Sequence, residues 1–498
     1  MGKYSASIYN YSFNSMNAIV MIVNGIIMVP LYFKFMEVST YGAWLATGNV
    51  VAMLGLVESG FSGVITQKMA AALSKKDKKH FFQLAGANVY TAFLMAITLF
   101  LLGLSIAPFV AKWVNAEETI QYSITIAYII SLASATISLI VSLLGAFPQV
   151  WQDTKTIGLI TTVVNILGII SLILYLYMGY GVVSLALGYF TRSILNLFGQ
   201  GIWILMKWKK LNLSMPRFDL IVIKTLLKDC IYPFLSKISG VIMGNSQSFI
   251  IAMFINPGLA AVYDITSKIS SVSCNFVGMI NGSFFGLFSL SFATKDRGEI
   301  NKLIKRVSTF FMTLLFSVLL YSLVFTKAFV YFWVGLDKYG GDLLLLFIVA
   351  SILITQLKQY FNNLLYTGGL INKSAKLDVI SMILYVLLLL AIVKPAQIYA
   401  IPIATFVTGV LFVGTYLRLL KKYLKVDIHF LLKLSLNLLL IVLPFALIHF
   451  LLKIDLTNIF NIIIYGIVFS IIYMTVIGLT NKELVITLFL KLRNGKKK

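Results

Sequence analysis

Long apolar stretches separated by short polar loops run along the whole chain. About fourteen of them have the length of a helix that crosses the hydrocarbon core of a bilayer. They lie near residues 12–33, 41–66, 82–111, 121–147, 156–178, 182–206, 231–255, 259–291, 307–326, 343–366, 377–393, 396–417, 434–452 and 457–480. The pattern predicts an all-α, polytopic membrane protein.

The chain also carries an internal repeat with an offset of 220 residues. The runs APFVAKWV and KAFVYFWV place Phe109 and Trp113 opposite Phe329 and Trp333, and the basic loops before them also align. Two like lobes of several spans each are typical of secondary transporters, whose substrate site lies between the repeats. We therefore expect two similar lobes around a central cavity.

The repeat and the loops divide the chain into four parts. We expect an N-terminal lobe of helices one to six at 1–210 and a C-terminal lobe of helices seven to twelve at 230–424. The cytoplasmic linker between them, 211–229, is broken by Pro216 and then alternates apolar and charged residues, as an interfacial helix does. Residues 425–498 add two peripheral helices and a basic tail.

Composition agrees with a chain that lies mostly in lipid. The 498 residues are 59% hydrophobic and only 12% charged, with a mean hydropathy of +0.93. A soluble protein of this length could not bury so much apolar surface in its cores. A soluble globular protein is therefore excluded.

The formal net charge of +24 reflects where the basic residues lie rather than a nucleic-acid surface. If the N-terminus is cytoplasmic, about three quarters of the 41 Lys and Arg fall in cytoplasmic segments, as the positive-inside rule requires. We therefore expect both termini in the cytoplasm and basic loops against anionic membrane lipids. No soluble domain could form a nucleic-acid groove, so no nucleic-acid partner is expected.

Cysteine and histidine give no sign of a catalytic or metal centre. Cys230 and Cys274 lie at or within membrane spans, and His80, His429 and His449 are far apart in the sequence. Neither a disulfide framework nor a metal site is indicated. The loops are too short to form a catalytic domain. We expect a protein that is not an enzyme and that holds no metal or cofactor.

Seven charged side chains fall inside predicted spans or near their ends, where a charge at the helix centre costs roughly 2.5–3.5 kcal/mol. They are Arg192, Lys237, Lys268, Lys358, Glu58, Asp264 and Asp378. Such residues normally face a water-filled cavity or a charged partner. Counted from Pro257 at ~1.5 Å per residue, Lys268 lies roughly 16 Å along its helix, near mid-membrane.

Asp264 and Lys268 are four residues apart and therefore share one helix face. Ser271 and Asn275 extend that face. The two charges can neutralise each other as a structural pair, or they can serve a substrate. The sequence leaves both interpretations open.

Uncharged polar side chains mark two further helix faces. Asn14, Asn17 and Asn24 follow helical spacing on helix one, and Gln359 and Asn362 lie on helix ten. Amides suit sugar hydroxyls, whereas an ammonium suits a phosphate. Hydrogen bonding between helices is the alternative role for these amides.

Three short motifs carry a resemblance to a known family. The segment Tyr41-Gly42-Ala43-Trp44, followed by Leu56 to Phe61 (LVESGF), resembles a signature of bacterial polysaccharide flippases. Trp333-Val334-Gly335 with Tyr339 is similar to the segment that opens helix ten in that family. The likeness covers about residues 1–424. These are the Wzx-type translocases of the multidrug/oligosaccharidyl-lipid/polysaccharide (MOP) superfamily.

The resemblance implies a fold and a function. It implies a V-shaped bundle in which helices one, two, seven and eight line a central cavity. It implies a flippase of the bacterial inner membrane that carries undecaprenyl-diphosphate-linked oligosaccharides to the outer leaflet by alternating access, for surface polysaccharide such as lipopolysaccharide. Partners would be the lipid-linked oligosaccharide, membrane lipids, and the polysaccharide polymerase and assembly proteins.

The resemblance also implies roles for the polar residues. Basic side chains in the cavity of such proteins hold the diphosphate, which suggests Lys268 first and Lys237 second, with Lys358 and Lys34 as further candidates. Helix two departs from the family pattern because it carries Glu58 and no basic residue there. Glu58 and Asp264 are candidates for gating or for coupling to H+ or Na+. The amides above are the candidates for sugar contacts.

Two other functions compete with this interpretation. A related drug or cation antiporter usually needs a carboxylate deep in its first helix, and 12–33 contains none. A membrane oligosaccharide polymerase or ligase generally needs a long outside loop with Arg or His, and the outside loops here are short. Both functions stay as alternatives.

Overall fold

The structure, a computed structural model, describes residues 16–17, 20, 24–58, 60–210, 219–294, 297–452 and 458–480. These residues are helical almost throughout, and none of them forms a strand. Their first eleven helices are α1 (24–35), α2 (Val38–Leu54), α3 (Phe61–Ser74), α4 (Lys78–Trp113), α5 (Glu118–Leu144), α6 (Ala146–Val150), α7 (Thr154–Tyr177), α8 (Val183–Lys210), α9 (Leu220–Asp229), α10 (Ile231–Asn245) and α11 (Gln247–Phe254). The others are α12 (Pro257–Ser283), α13 (Phe285–Thr294), α14 (Arg297–Trp333), α15 (Asp342–Thr367), α16 (Ile371–Ala396), α17 (Ala400–Leu419), α18 (Ile428–Leu452) and α19 (Ile459–Thr480).

Every predicted span overlaps one or two of these helices, so the all-α membrane fold is confirmed. Eight helical stretches of the described chain are long and apolar enough to cross a membrane. The count of fourteen crossings stays a prediction. Several predicted spans fall short of that length because their helices are broken: α10 gives way to α11 at Ser246, and a 3-10 turn and Gly60 separate α2 from α3.

The described chain forms two compact units. The first comprises residues Met1–Ala261 and Asp378–Ile383, and the second comprises Val262–Leu377 and Leu384–Lys498. These are groupings by packing, whereas the predicted lobes, 1–210 and 230–424, are divisions of the sequence. The lobe boundaries therefore stay a prediction.

In the first unit, α4, α5, α7 and α8 pack side by side, and α2 lies against α5, α10 and α11. The linker contains a helix, α9, where an interfacial helix is predicted, and residues 211–218 lie outside the described residues. Asp219 caps α9 and accepts a hydrogen bond of 2.9 Å from Gln83 Nε2 on α4, while Asp229 pairs with Lys68 on α3. Both ends of α9 are thus tied to the first unit.

Two glycines of the flippase-like motifs permit close helix contact in this unit. A Cβ at Gly42 of α2 would lie 1.7 Å from the carbonyl oxygen of Pro257. Gly60 has a φ of +86°, and a Cβ there would lie 2.8 Å from Pro233 Cβ. Any side chain at Gly42 would collide with the backbone of Pro257. A side chain at Gly60 would collide with Pro233 and would also strain its own backbone, because its φ is positive. The structure thereby gives these motif residues a packing role.

In the second unit, α15 packs on α17 and α14, and α18 lies along α14. The core contains Phe311 and Tyr360, whose rings stack at 4.6 Å, and the Tyr360 hydroxyl lies 2.7 Å from Ser308 Oγ. The helix α19 joins α14 through aromatic rings, with Phe469 meeting Tyr321 edge to face at 5.5 Å.

The internal repeat appears in corresponding helices of the two units. The helix α4 ends at Trp113 and α14 ends at Trp333, and the two helices are 36 and 37 residues long. Phe109 contacts Trp113 at a ring distance of 6.0 Å, and Phe329 contacts Trp333 at 4.9 Å. Both copies of the motif therefore form the same i, i+4 aromatic pair at a helix end.

Candidate functional site

The polar face of α12 carries an ion pair. Lys268 Nζ lies 3.0 Å from Asp264 Oδ2, and the two side chains are 20% and 23% exposed. Ser271 is half-buried and Asn275 is exposed on the same face. The prediction that Asp264 and Lys268 share a face is confirmed, and each charge is accessible while it is paired.

The opposite face of α12 is held inside the second unit. Thr266 Oγ1 accepts a hydrogen bond of 2.9 Å from the backbone N–H of Gly340, and Ser270 Oγ donates one of 3.0 Å to Ser322 Oγ on α14. Ile265, next to Thr266 in the sequence, is fully buried. These contacts fix the rotation of α12 and so direct the ion pair away from the core.

The same contacts place Lys268 relative to α15. Gly340 lies in the loop just before α15, and Lys268 follows Thr266 by two residues, about 3 Å along the helix axis. Lys268 is therefore near the level at which α15 begins, and not near the middle of that 26-residue helix. The depth of Lys268 in the membrane, counted along α12 from Pro257, stays a prediction.

The candidates on α15 lie elsewhere in this unit. Lys358 lies 5.9 Å from the ring centroid of Phe412 on α17, Gln359 is exposed, and Asn362 accepts a hydrogen bond from Ser374 on α16. Lys358 is sixteen residues beyond the start of α15, roughly 24 Å along its axis. The structure therefore separates Lys358 from Lys268.

One polar group of α15 faces α12 without having been predicted as a site residue. The side-chain oxygen of Gln356 is buried and has no hydrogen-bond partner among the described residues. A Cβ at Gly278 of α12 would lie 3.9 Å from that oxygen. Nothing in the sequence identified Gln356 as a neighbour of α12.

The first unit holds the other two basic candidates. Lys237 on α10 is exposed, as are Gly240, Gly244 and Asn245 further along the same helix. Lys34 is exposed near the end of α1. Both are accessible lysines on helices that the flippase resemblance assigns to the cavity.

The amides of helix one differ in their contacts. Asn17 Oδ1 accepts hydrogen bonds from Asn165 Nδ2 at 2.9 Å and from Thr162 Oγ1 at 3.2 Å, both on α7. This is the interhelical bonding that the alternative interpretation predicts. Asn24 Oδ1 is buried without a hydrogen-bond partner among the described residues. Asn14 lies outside the described residues.

Two carboxylates of the first unit, Glu58 and Asp378, each accept a hydrogen bond from a serine. Glu58 Oε1 accepts a hydrogen bond of 3.0 Å from Ser142 Oγ on α5. Asp378 is 6% exposed, and its Oδ2 accepts one of 2.7 Å from Ser236 Oγ on α10. Among the described residues, no three His, Cys, Asp or Glu side chains are grouped as metal ligands would be.

A sequence model of one protein family matches the chain over residues 10–292, more than half of its length. Its description is polysaccharide biosynthesis protein. The chain belongs to this family. No curated protein matches the chain in sequence.

Solved structures of transporters share the fold. Lipid II flippase MurJ, in an inward closed conformation, matches with a TM-score of 0.74 and 14% identity, covering 96% of this chain and 100% of its own. An inward-facing multidrug resistance MATE family transporter of the MOP superfamily matches with a TM-score of 0.63 and 13% identity, covering 84% and 98%. A eukaryotic MATE transporter, AtDTX14, matches with a TM-score of 0.61 and 11% identity, covering 87% and 98%.

Family and fold together define the class of this polysaccharide biosynthesis protein. It is a multi-pass membrane protein of this family, and its fold is that of MOP-superfamily flippases and transporters. The recognition of a MOP-superfamily flippase from the sequence motifs is confirmed. At identities of 14% and below, the solved structures carry information about the fold alone.

Proposed function

We propose that this protein translocates undecaprenyl-diphosphate-linked oligosaccharides from the cytoplasmic to the outer leaflet of a bacterial inner membrane by alternating access. It acts as a Wzx-type flippase, with both termini in the cytoplasm, and supplies surface polysaccharide assembly. The observation that carries the proposal is the partly exposed Lys268–Asp264 pair on α12, in a chain of the polysaccharide biosynthesis family.

Lys268 is the proposed contact for the diphosphate. An ammonium that is only 20% exposed makes charge-assisted hydrogen bonds to phosphate oxygens at a low local dielectric, where attraction between charges is stronger than in water. Lys237, Lys358 and Lys34 are further basic contacts that the lipid diphosphate meets along its path.

Asp264 is the proposed release group. When the site is empty, its carboxylate neutralises Lys268 and avoids an unpaired charge in a partly buried place. When a diphosphate arrives, it competes with Asp264 for the ammonium, and re-formation of the pair favours departure of the lipid. Asp264 and Glu58 are also the candidates for gating and for coupling to H+ or Na+.

Amide side chains are the proposed sugar contacts. Gln359 is exposed, so it can bind a hydroxyl without breaking a described hydrogen bond. The carbonyl oxygen of Asn24 is buried and has no partner among the described residues, so a sugar hydroxyl would have to displace its neighbours to reach it. Asn17 and Asn362 already accept hydrogen bonds from neighbouring helices, so sugar contacts there would use their remaining capacity. Asn14 completes the set proposed from sequence.

The test is a transport assay with the purified protein in liposomes. A fluorescent undecaprenyl-diphosphate oligosaccharide in the inner leaflet becomes accessible to a membrane-impermeant glycosidase only after translocation. We expect the glycosidase to cleave the oligosaccharide in liposomes that contain the wild-type protein. In protein-free liposomes the oligosaccharide should stay protected from the glycosidase.

The same liposomes distinguish a MATE-like antiporter, which shares this fold. A proton or sodium gradient that drives accumulation of a cationic dye, with no translocation of the lipid-linked sugar, would contradict the proposal. Cleavage of the substrate or joining of two sugar units by the protein itself would instead indicate a polymerase or ligase.

A further inference from the structure

Several helix ends of the second unit meet where α16 and α18 begin and α17 ends. Asn301 Nδ2 on α14 donates a hydrogen bond of 3.4 Å to the carbonyl oxygen of Lys425. Lys305 Nζ, also on α14, lies 2.8 Å from Asp427 Oδ2 and 5.1 Å from the ring centroid of Phe430 on α18. These contacts hold the end of α17 in one place.

The chain leaves α17 through an unusual last turn. Residues Leu420–Leu424 form a π-turn, and Lys425 follows with a φ of +53°. Leu420 is buried, and Leu424 lies so close to Gly368 that a Cβ there would be 2.5 Å from Leu424 Cδ1. The π-turn anchors both leucines inward and leaves three polar residues between them exposed: Lys421, Lys422 and Tyr423. Single π-turns in α-helices are frequent at functional sites.

Two ammonium groups lie close to the exposed ring of Tyr423. Lys373 Nζ, from the start of α16, lies 3.3 Å from the ring centroid, and Lys422 Nζ lies 5.5 Å from it. In the part of the chain that the structure describes, neither lysine forms an ion pair, and the carboxylate of Asp427 is taken by Lys305. Both ammonium groups lie close to the same ring and repel each other, so an anion bound to both would stabilise the arrangement.

The surface that leads to these lysines is apolar. Val407 and Leu411, on the outward face of α17, are 40% and 56% exposed, as expected of residues that contact lipid chains. Tyrosine is typical of the boundary between the hydrocarbon core and the headgroups, and clustered lysines there attract anionic lipids. The ring of Tyr423, with 43% of its surface exposed, therefore lies where a headgroup would be.

We propose that Lys373, Lys422 and Tyr423 form a binding site for the phosphate of an anionic phospholipid in the leaflet around this end of the second unit. The two ammonium groups donate charge-assisted hydrogen bonds to the phosphate, and the Tyr423 hydroxyl is a further donor. The acyl chains lie along the apolar face of α17. This site is separate from the ion pair on α12 and does not depend on the transported substrate.

Native mass spectrometry of the purified protein tests the site. The protein is released from mixed micelles that contain equal amounts of phosphatidylglycerol and phosphatidylcholine, and retained lipids are counted. We expect preferential retention of phosphatidylglycerol by the wild-type protein. Lys373→Gln with Lys422→Gln should lower the ratio of retained phosphatidylglycerol to phosphatidylcholine by about tenfold, because each lysine contributes to the binding free energy of an anionic lipid. Lys373→Arg with Lys422→Arg should keep the preference.

The matched control removes two other exposed lysines at the same end, Lys302 on α14 and Lys433 on α18. Lys302→Gln with Lys433→Gln should leave the ratio within about twofold of the wild-type value, since these residues do not touch Tyr423. An equal loss in both double variants would overturn the proposal in favour of diffuse charge. Displacement of phosphatidylglycerol by millimolar inorganic phosphate would also overturn it, because the site would then belong to a soluble anion.

Discussion

Thr266 Oγ1 accepts a hydrogen bond of 2.9 Å from the backbone N–H of Gly340. This contact joins α12, between the two members of its ion pair, to the loop that precedes α15. Thr266 is fully buried, so the N–H of Gly340 would have no replacement partner if the hydroxyl were removed.

We therefore expect Thr266→Val to destabilise the protein by about 1–3 kcal/mol, because the shape is kept while a buried donor loses its partner. Thr266→Ser keeps the acceptor and should cost less. The measurement is the thermal unfolding midpoint in detergent micelles, followed by tryptophan fluorescence. Equal midpoints for the valine variant and the wild-type protein would show that the bond contributes nothing.

The ion pair on α12 gives the sharpest functional prediction. Lys268→Ala should reduce translocation of the lipid-linked oligosaccharide by about 10- to 100-fold, the loss expected for one hydrogen bond to a charged group. Lys268→Arg should keep part of the activity. Protein level and unfolding midpoint serve as controls for folding.

The double variant Lys268→Ala with Asp264→Ala separates substrate binding from structure. If Lys268 binds diphosphate, the double variant stays inactive, because removal of Asp264 does not restore the ammonium group that Lys268 supplied. If it regains wild-type translocation, the two residues are only a structural pair and the role assigned to Lys268 is wrong.

Gly42 should tolerate no side chain. Gly42→Ala places a Cβ 1.7 Å from the backbone oxygen of Pro257, which cannot rotate away, so we expect a loss of about 3 kcal/mol from overpacking. Gly48→Ala on the same helix is the matched control, since nothing lies within 4 Å of its Cβ position. A smaller effect at position 42 than at position 48 would show that α2 does not pack as described.

Asp427 predicts a pH dependence outside the membrane spans. A hydrogen bond from Lys305, together with one from the backbone N–H of Phe430, holds the pKa of this carboxyl below its usual value of 3.8. The contribution of the ionised Asp427 to the free energy of unfolding is therefore fully present above about pH 5. It is lost as the pH falls through the lowered pKa. Asp427→Asn should flatten the decline of the unfolding midpoint between pH 5 and pH 3 by a small amount, since both side chains are about 40% exposed. An identical decline in the variant would assign the acid sensitivity to other carboxyls.

The distribution of Lys and Arg predicts both termini in the cytoplasm. Reporter fusions at residues 77 and 213 should report a cytoplasmic location, and those at 116 and 336 an outside location. The reverse pattern at two or more sites would contradict the topology and the direction of transport proposed from it.

The sequence by itself determined the helices and the class of protein. An apolar segment in lipid must satisfy its own backbone hydrogen bonds, so hydropathy alone predicts where helices lie. Positions within one helix were equally accessible: the spacing of Asp264 and Lys268 predicted that they share a face, and the repeat aligned Trp113 with Trp333, which end corresponding helices.

Only the tertiary structure decided which helices meet and what each polar side chain contacts. The bonds from Thr266 to Gly340, from Asn17 to Asn165 and from Lys305 to Asp427 join residues more than seventy positions apart. Hydropathy cannot choose among such partners, because every apolar helix face is equally suited to lipid and to another helix. For the same reason, the level of Lys268 beside α15 followed from a loop contact and not from counting residues along α12.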